Sequence, residues 1–89
     1  MGAPVEVLIA SPLVSYTGAD KVEAVGETLG DLLNDLDARF PGIRFRMIDE
    51  QDRVRKHIRV FINGEQARDL AQDVRPADQV CIVQALSGG

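Results

Sequence analysis

The residues best placed to do chemistry are the last two of the chain, Gly88 and Gly89. They come after a run, Gln79 to Ala85, that reads as a buried strand. Glycine has no Cβ, so a Gly-Gly end can be extended and thin, and foreign backbone can approach it closely. Its last group is a carboxylate on an unhindered Cα, with a pKa near the usual roughly 3.3–3.7, hence ionised at neutral pH. A carboxylate is a poor electrophile, because attack would have to expel oxide. Such an end becomes reactive only when one oxygen is converted into a good leaving group, inside a channel narrow enough to admit glycine and little else. The plainer reading of the same residues is a small, loose chain terminus.

No competing site emerges elsewhere. His57 has no companion His or Cys with which to hold a metal or form a triad, and reads as a surface residue at the start of a strand. Cys81 lies in mid-strand, where a small packing role is commoner than a reactive thiol. Ser11, Ser15 and Ser87 lack the strand–turn–helix context of a nucleophile elbow, and no Gly-x-x-x-x-Gly-Lys loop is present to cradle phosphate. A stand-alone enzyme is therefore the least supported class.

The elements that would position the terminus are readable from apolar spacing. Val5, Val7 and Ile9 alternate as in a strand, and Lys21 to Val25 suggests a second strand after an irregular turn punctuated by Ser11-Pro12 and Thr17-Gly18. Leu29, Leu32, Leu33, Leu36 and Phe40 mark one face of a helix. Thr28 is its N-cap, with Asp31 at the capping-box position, and Pro41-Gly42 its stop. Asn34, Asp35, Asp37 and Arg39 occupy the opposite, solvated face. Residues 42–56 carry Arg44, Arg46, Arg53, Arg55 and Lys56 beside Asp49, Glu50 and Asp52, and read as a charged connector, a solvated loop or a short extra helix. Ile58, Val60 and Ile62 form a strand. Asn63-Gly64 then predicts a type I′ hairpin turn, which needs positive φ at both positions. Glu65 to Arg68 is a short returning strand, and Arg75-Pro76-Ala77-Asp78 a turn. In the last strand Val80 and Ile82 face one way, Cys81 and Val83 the other. The sum is an α+β roll with one main helix covering one face of a mixed sheet of four to five strands, and the other face open.

Size and composition agree. Eighty-nine residues make one domain with an aliphatic core, since there are only four aromatic residues and no Trp. Fourteen acidic against ten basic residues give a net charge of −4, which opposes non-specific nucleic-acid binding and favours a basic partner surface. One cysteine, no signal-peptide pattern and no long apolar run point to a soluble, cytoplasmic protein without membrane attachment.

The chain resembles the ubiquitin-like sulfur carrier proteins of β-grasp fold, which include the small subunit of molybdopterin synthase and the carriers of thiamine and cysteine biosynthesis. The resemblance rests on Ile58-Arg59-Val60-Phe61-Ile62-Asn63-Gly64-Glu65, on Ala77-Asp78-Gln79-Val80-Cys81-Ile82-Val83 and on Ser87-Gly88-Gly89. Thr17-Gly18 and Glu27 to Leu33 match more loosely. Where the family often has proline and alanine before the diglycine, this chain has Gln84-Ala85-Leu86-Ser87. Thr17-Gly18 and the chain length lean toward the cysteine-type carriers.

The resemblance implies a β-grasp domain over residues 1–86 and a flexible tail over 87–89. It implies that an ATP-dependent activating enzyme adenylates Gly89 and that a sulfur donor then leaves a thiocarboxylate there. A biosynthetic enzyme would accept that sulfur. No cofactor would be bound to the chain itself, ATP being used by the partner, and the protein would be a carrier, with no catalytic residue of its own and no metal. Gly88 would permit the narrow approach, with Ser87 and Leu86 as the neck. Phe61, Cys81 and Val83, pointing away from the helix, would form the partner-binding surface; a half-buried cross-strand contact is the alternative for Phe61, and simple packing for Cys81. A ubiquitin-like modifier joined to lysines through Gly89, and a β-grasp binding module with an inert tail, remain open beside the carrier.

Overall fold

The computed structural model describes residues 3–10 and 12–84. Five strands form one mixed sheet: β1 (Val5–Ala10), β2 (Lys21–Ala24), β3 (Ile58–Ile62), β4 (Glu65–Ala67) and β5 (Gln79–Gln84), in the order β2-β1-β5-β3-β4. The first and last strands pair in parallel at the centre, from Glu6 opposite Gln79 to Ala10 opposite Val83. The other pairings are antiparallel. This is the expected α+β roll, with Ala85 and Leu86 to Gly89 lying outside the described residues.

Alternation sets the core. Val5, Val7 and Ile9 of β1, Val60 of β3, and Val80 and Ile82 of β5 all turn inward and are fully buried. Over them lies helix α2 (Leu29–Arg39), whose Leu29, Leu32, Leu33 and Leu36 are each inaccessible to solvent. Thr28 caps that helix as its sequence requires, its Oγ1 accepting from the Asp31 amide at 3.2 Å. Two further amides at the helix start are satisfied from a distant loop: Leu29 N–H donates to the Gln72 carbonyl and Gly30 N–H to that of Leu70, both at 2.8 Å. Gly26 lies so close to the same helix that a Cβ there would meet the Leu32 amide nitrogen at 2.3 Å. No side chain fits between strand and helix at that point.

Three sequence expectations change. The turn after β1 contains a short helix, α1 (Val14–Thr17), whose Tyr16 hydroxyl accepts from Arg46 Nε at 2.7 Å. The 42–56 connector is not a solvated loop. It contains the short helix α3 (Ile43–Met47), entered through Gly42 in a left-handed conformation, and Ile43, Met47 and Ile48 are buried in the main core. An isolated bridge between Ile48 and Val54 then folds the segment back on itself. Charged residues dominate the composition here and hid three apolar anchors spaced as one helical turn presents them.

The polar face of α2 is also less solvated than its composition suggests. Asp35 accepts from the Val25 amide at 2.7 Å and from Arg39 Nε at 2.8 Å, tying the end of β2 to the helix. Asp37 accepts from the amides of Gly42 and Arg44, both at 3.1 Å, and so caps the start of α3 from the preceding helix.

Two measurements test these anchors. Met47→Ala should lower unfolding free energy by about 2–5 kcal/mol in urea titrations, as a core truncation does, where a residue of a solvated loop would change it by less than about 0.5 kcal/mol. The Val25 amide, then Arg39, holds the Asp35 carboxyl below its ordinary value of 3.8. A depressed carboxyl stabilises the fold above the unfolded value and loses that contribution as pH falls through the folded one. Asp35→Asn should therefore melt below the parent chain at pH 7, and the gap in Tm should close as pH is lowered below 3.8; a gap constant across that range would refute the coupling.

Candidate functional site

The site is built from the outward positions of the three middle strands. In β5 the inward residues Val80 and Ile82 are sealed beneath α2, so Cys81 and Val83 must project to the other side. Register then places Phe61 of β3 opposite Cys81, and Arg59 opposite Val83. Phe61, Cys81 and Val83 thus share the helix-free face as neighbours, each half-buried. The Cys81 thiol is free.

Two further residues belong to this face and were not singled out from sequence. Leu8 pairs with Cys81, and Ala10 with Val83, across the parallel β1–β5 ladder. The available signal was Leu8 itself, an apolar residue at an outward position of a strand that otherwise alternates. With them the face becomes a continuous apolar strip from Phe61 to Leu8, bordered by Lys21, Glu6 and Gln79. There Lys21 Nζ lies 3.7 Å from Glu6, and Gln79 Nε2 donates to Glu6 at 3.1 Å. The border is thus satisfied internally, while Leu8, Phe61, Cys81 and Val83 of the strip are half-buried among the described residues.

The end of β5 sets where the terminal residues depart. Gln84, the last described residue, is still in register opposite Ile58. It shares a cleft with Leu13, Phe45, Arg46, Arg55 and His57. Phe45 is 61% exposed, the exception among large apolar side chains of the described residues, and the Arg55 guanidinium lies 4.6 Å from its ring centroid. His57 is exposed immediately before β3, as its sequence position suggested. Leu86, Ser87, Gly88 and Gly89, the residues expected to carry the chemistry, lie outside the described residues, as does Ser11.

The Asn-Gly-Glu and Asp-x-Val motifs turn out to be one device. Asn63 and Gly64 have φ of +52° and +86°, the pair a type I′ turn demands. The Asn63 side chain reaches across to the start of β5: its Nδ2 donates to Asp78 Oδ1 at 2.8 Å, and its Oδ1 accepts from the Gln79 amide at 2.9 Å. Asp78 in turn accepts from the Arg75 amide at 2.9 Å. These bonds, the Arg75 amide first, hold the Asp78 carboxyl below its ordinary range. The turn of one hairpin therefore fixes the register of the strand that carries Cys81 and Val83.

Among the described residues no group of three or more His, Cys, Asp or Glu side chains is placed to hold a metal ion, and no helix is long and apolar enough to cross a membrane. The arrangement provides a rigid apolar face and a strand that delivers the end of the chain.

Comparison with known proteins agrees with this architecture. The model of the ThiS family matches residues 7–89. The sulfur carrier protein CysO of Mycobacterium tuberculosis is 34% identical over 91 residues, covering 96% of this chain and 98% of that protein. Among solved structures, the BexX/CysO complex of Amycolatopsis orientalis contains a chain similar at a TM-score of 0.86 and 31% identity, covering 96% of this chain and 99% of that one. SAMP1 of Haloferax volcanii gives a TM-score of 0.83 at 26% identity, covering 98% and 100%.

The Asn63 clamp can be dissected. Asn63→Gly keeps the turn conformation and removes the side-chain bonds, and should cost about 1–3 kcal/mol; Asn63→Ala adds backbone strain at positive φ and should cost more. Equal losses in the two variants, measured by urea unfolding, would show that the bonds to Asp78 and Gln79 carry no weight.

Proposed function

Since this chain belongs to the ThiS family, we propose that it is a sulfur carrier whose Gly89 carboxylate is adenylated by an ATP-dependent activating enzyme and then converted to a thiocarboxylate. The observation that carries this reading is the reach of the family match, which runs through the terminal Gly88-Gly89. In the first step a Gly89 carboxylate oxygen attacks the α-phosphorus of ATP, and pyrophosphate leaves. In the second a sulfur nucleophile attacks the acyl carbon, and AMP departs with the original oxygen. With sulfide as that nucleophile, loss of its remaining proton leaves a thiocarboxylate directly, with no further bond to break, and this group hands sulfur to a biosynthetic acceptor. The likeness to CysO supports an acceptor in cysteine formation.

On this reading the chain is a cosubstrate and all catalytic groups belong to partners. It binds no cofactor or metal, works in the cytoplasm, and contributes geometry. Gly88 and Gly89 keep the end slender, and Ser87 and Leu86 let it extend. On this reading, ordering a tail of residues 87–89 would cost about 1–2 kcal/mol each, so threading would need roughly 3–6 kcal/mol from elsewhere. At about 25 cal/mol per Å² that corresponds to roughly 120–240 Å² of buried apolar surface. The strip of Leu8, Phe61, Cys81 and Val83 is the part of the molecule that supplies it. Its centre stands beside the strand that bears the tail, so docking and threading are one event.

A second reading draws on the likeness to SAMP1, described as a small archaeal modifier protein. There the same activated glycine would be joined to lysines of other proteins. Isopeptide remnants of this tail on lysines in digested cell extracts would favour it over the carrier.

Incubated with the activating enzyme of its own organism, ATP and a sulfide source, the intact chain should gain the mass difference between one sulfur and one oxygen atom. Gly89→Ala should fold normally yet abolish that gain, because a Cβ obstructs the channel. An unchanged mass in the parent chain would sink the carrier reading, and full conversion of Gly89→Ala would sink the threading argument.

A further inference from the structure

The cations of this acidic protein are unevenly placed. Five of its ten Lys and Arg side chains, Arg53, Arg55, Lys56, Arg59 and Arg68, line a single groove of about 410 Å³ between the returning end of the connector and the β3–β4 edge. No acidic residue lines it. The ion pairs of the described residues lie elsewhere, at Lys21–Glu6, Arg39–Asp35 and Arg44–Asp52. Lys56, Arg59 and Arg68 form no ion pair among the described residues, while Arg53 and Arg55 feel the charge of Asp49. Arg59 donates to the Lys56 carbonyl at 2.7 Å, Arg55 to the Phe45 carbonyl at 2.6 Å, and Arg68 to the Gln66 side chain at 3.5 Å. Asp52, adjacent to Arg53, pairs instead with Arg44 at 3.3 Å, and Asp49 has a carboxylate oxygen engaged by the Gln51 and Arg53 amides at 2.8 and 3.0 Å.

Concentrating like charges without counterions is unfavourable for the isolated fold, and the same array raises the local concentration of an oppositely charged surface and speeds encounter. A chain with net charge −4 repels nucleic acid as a whole. The groove is also continuous with the apolar strip: Arg59 is the register neighbour of Val83 and sits on the strand that carries Phe61. Arginines beside an apolar patch with an aromatic are the composition of a protein interface. Guanidinium groups pair with carboxylates in bidentate fashion.

We propose that this groove receives an acidic segment, rich in Asp and Glu, on the surface of the activating enzyme, and that it orients the carrier so that the apolar strip docks and the tail enters. The proposal rests on the sulfur-carrier reading and adds the chemistry of the partner surface. The carboxylates of that segment pair with Arg53, Lys56, Arg59 and Arg68 at the rim, setting association rate and register more than residence time.

The test uses the full chain and its activating enzyme, with pyrophosphate release as the readout. Lys56→Glu combined with Arg53→Glu and Arg68→Glu changes exposed side chains. This variant should keep the circular dichroism and Tm of the parent. Its KM in adenylation should rise by about tenfold or more with kcat little changed, and the salt dependence of KM should flatten. Arg75→Glu, exposed in the turn before β5 and outside both groove and strip, serves as the control and should leave KM near the parent value. Lys56→Gln with Arg53→Gln and Arg68→Gln should give an intermediate KM and covers the case in which the reversed charges impair folding. If the parent chain itself is not adenylated, the carrier reading fails. If the parent is adenylated and the triple variants match it in KM and salt dependence, the groove proposal fails alone. Binding of a fluorescent dT oligonucleotide at physiological salt, lost in the triple variant, would assign the groove to nucleic acid and overturn the protein partner.

Discussion

The whole molecule depends on the parallel ladder between β1 and β5. These strands come from opposite ends of the sequence and occupy the middle of the sheet, so each has a neighbour on both sides. Their inward residues, Val5, Val7, Ile9, Val80 and Ile82, are the floor on which the leucines of α2 rest. Their outward residues, Leu8, Ala10, Cys81 and Val83, are the centre of the open face. One set of backbone hydrogen bonds therefore fixes the core and the open face together. A central strand is the most firmly held place in a small sheet, and β5 gives the tail that rigid anchor.

Around that ladder, short polar side chains do the positioning. Asp35 fastens β2 to α2, Asp37 joins α2 to α3, and Asn63 with Asp78 locks the hairpin turn to the first residue of β5. Each is a side chain bonded to backbone amides, the arrangement that satisfies turn and helix-end donors at little entropic cost. None is deeply buried and none forms a catalytic pair. The fold uses its polar groups for geometry, consistent with chemistry that belongs to partner proteins.

Much of this was legible in the sequence, and the rest was lost for identifiable reasons. The leucine spacing from Leu29 to Leu36, the alternation in Ile58 to Ile62 and the Asn63-Gly64 turn are local signals, and local structure obeys them. The open-face trio of Phe61, Cys81 and Val83 was reached because strand periodicity alone separates the two sides of a sheet. Leu8 and Ala10 joined them only once the β1–β5 register was known, and register between strands so far apart in the chain has no local marker. The 42–56 segment was left between a solvated loop and a short extra helix because its eight charged residues mask the apolar ones, of which Ile43, Met47 and Ile48 are buried and Val54 packs against the core. The cationic groove was hidden for the same reason: Asp52 looks compensating for its neighbour Arg53 in sequence, while in space it pairs with Arg44.

The placement of β5 bears on how the protein is made. Because the middle of the sheet needs β5, a nascent chain cannot close its hydrophobic interior until residues 79–84 have emerged from the ribosome. Contacts that span nearly the full sequence also form late, since the intervening loop must first be closed. A prematurely terminated copy would leave Val7 and Ile9 without their central neighbour and would present them to the proteolytic machinery as unfolded. Folding thus reports that β5 has been made and paired with β1.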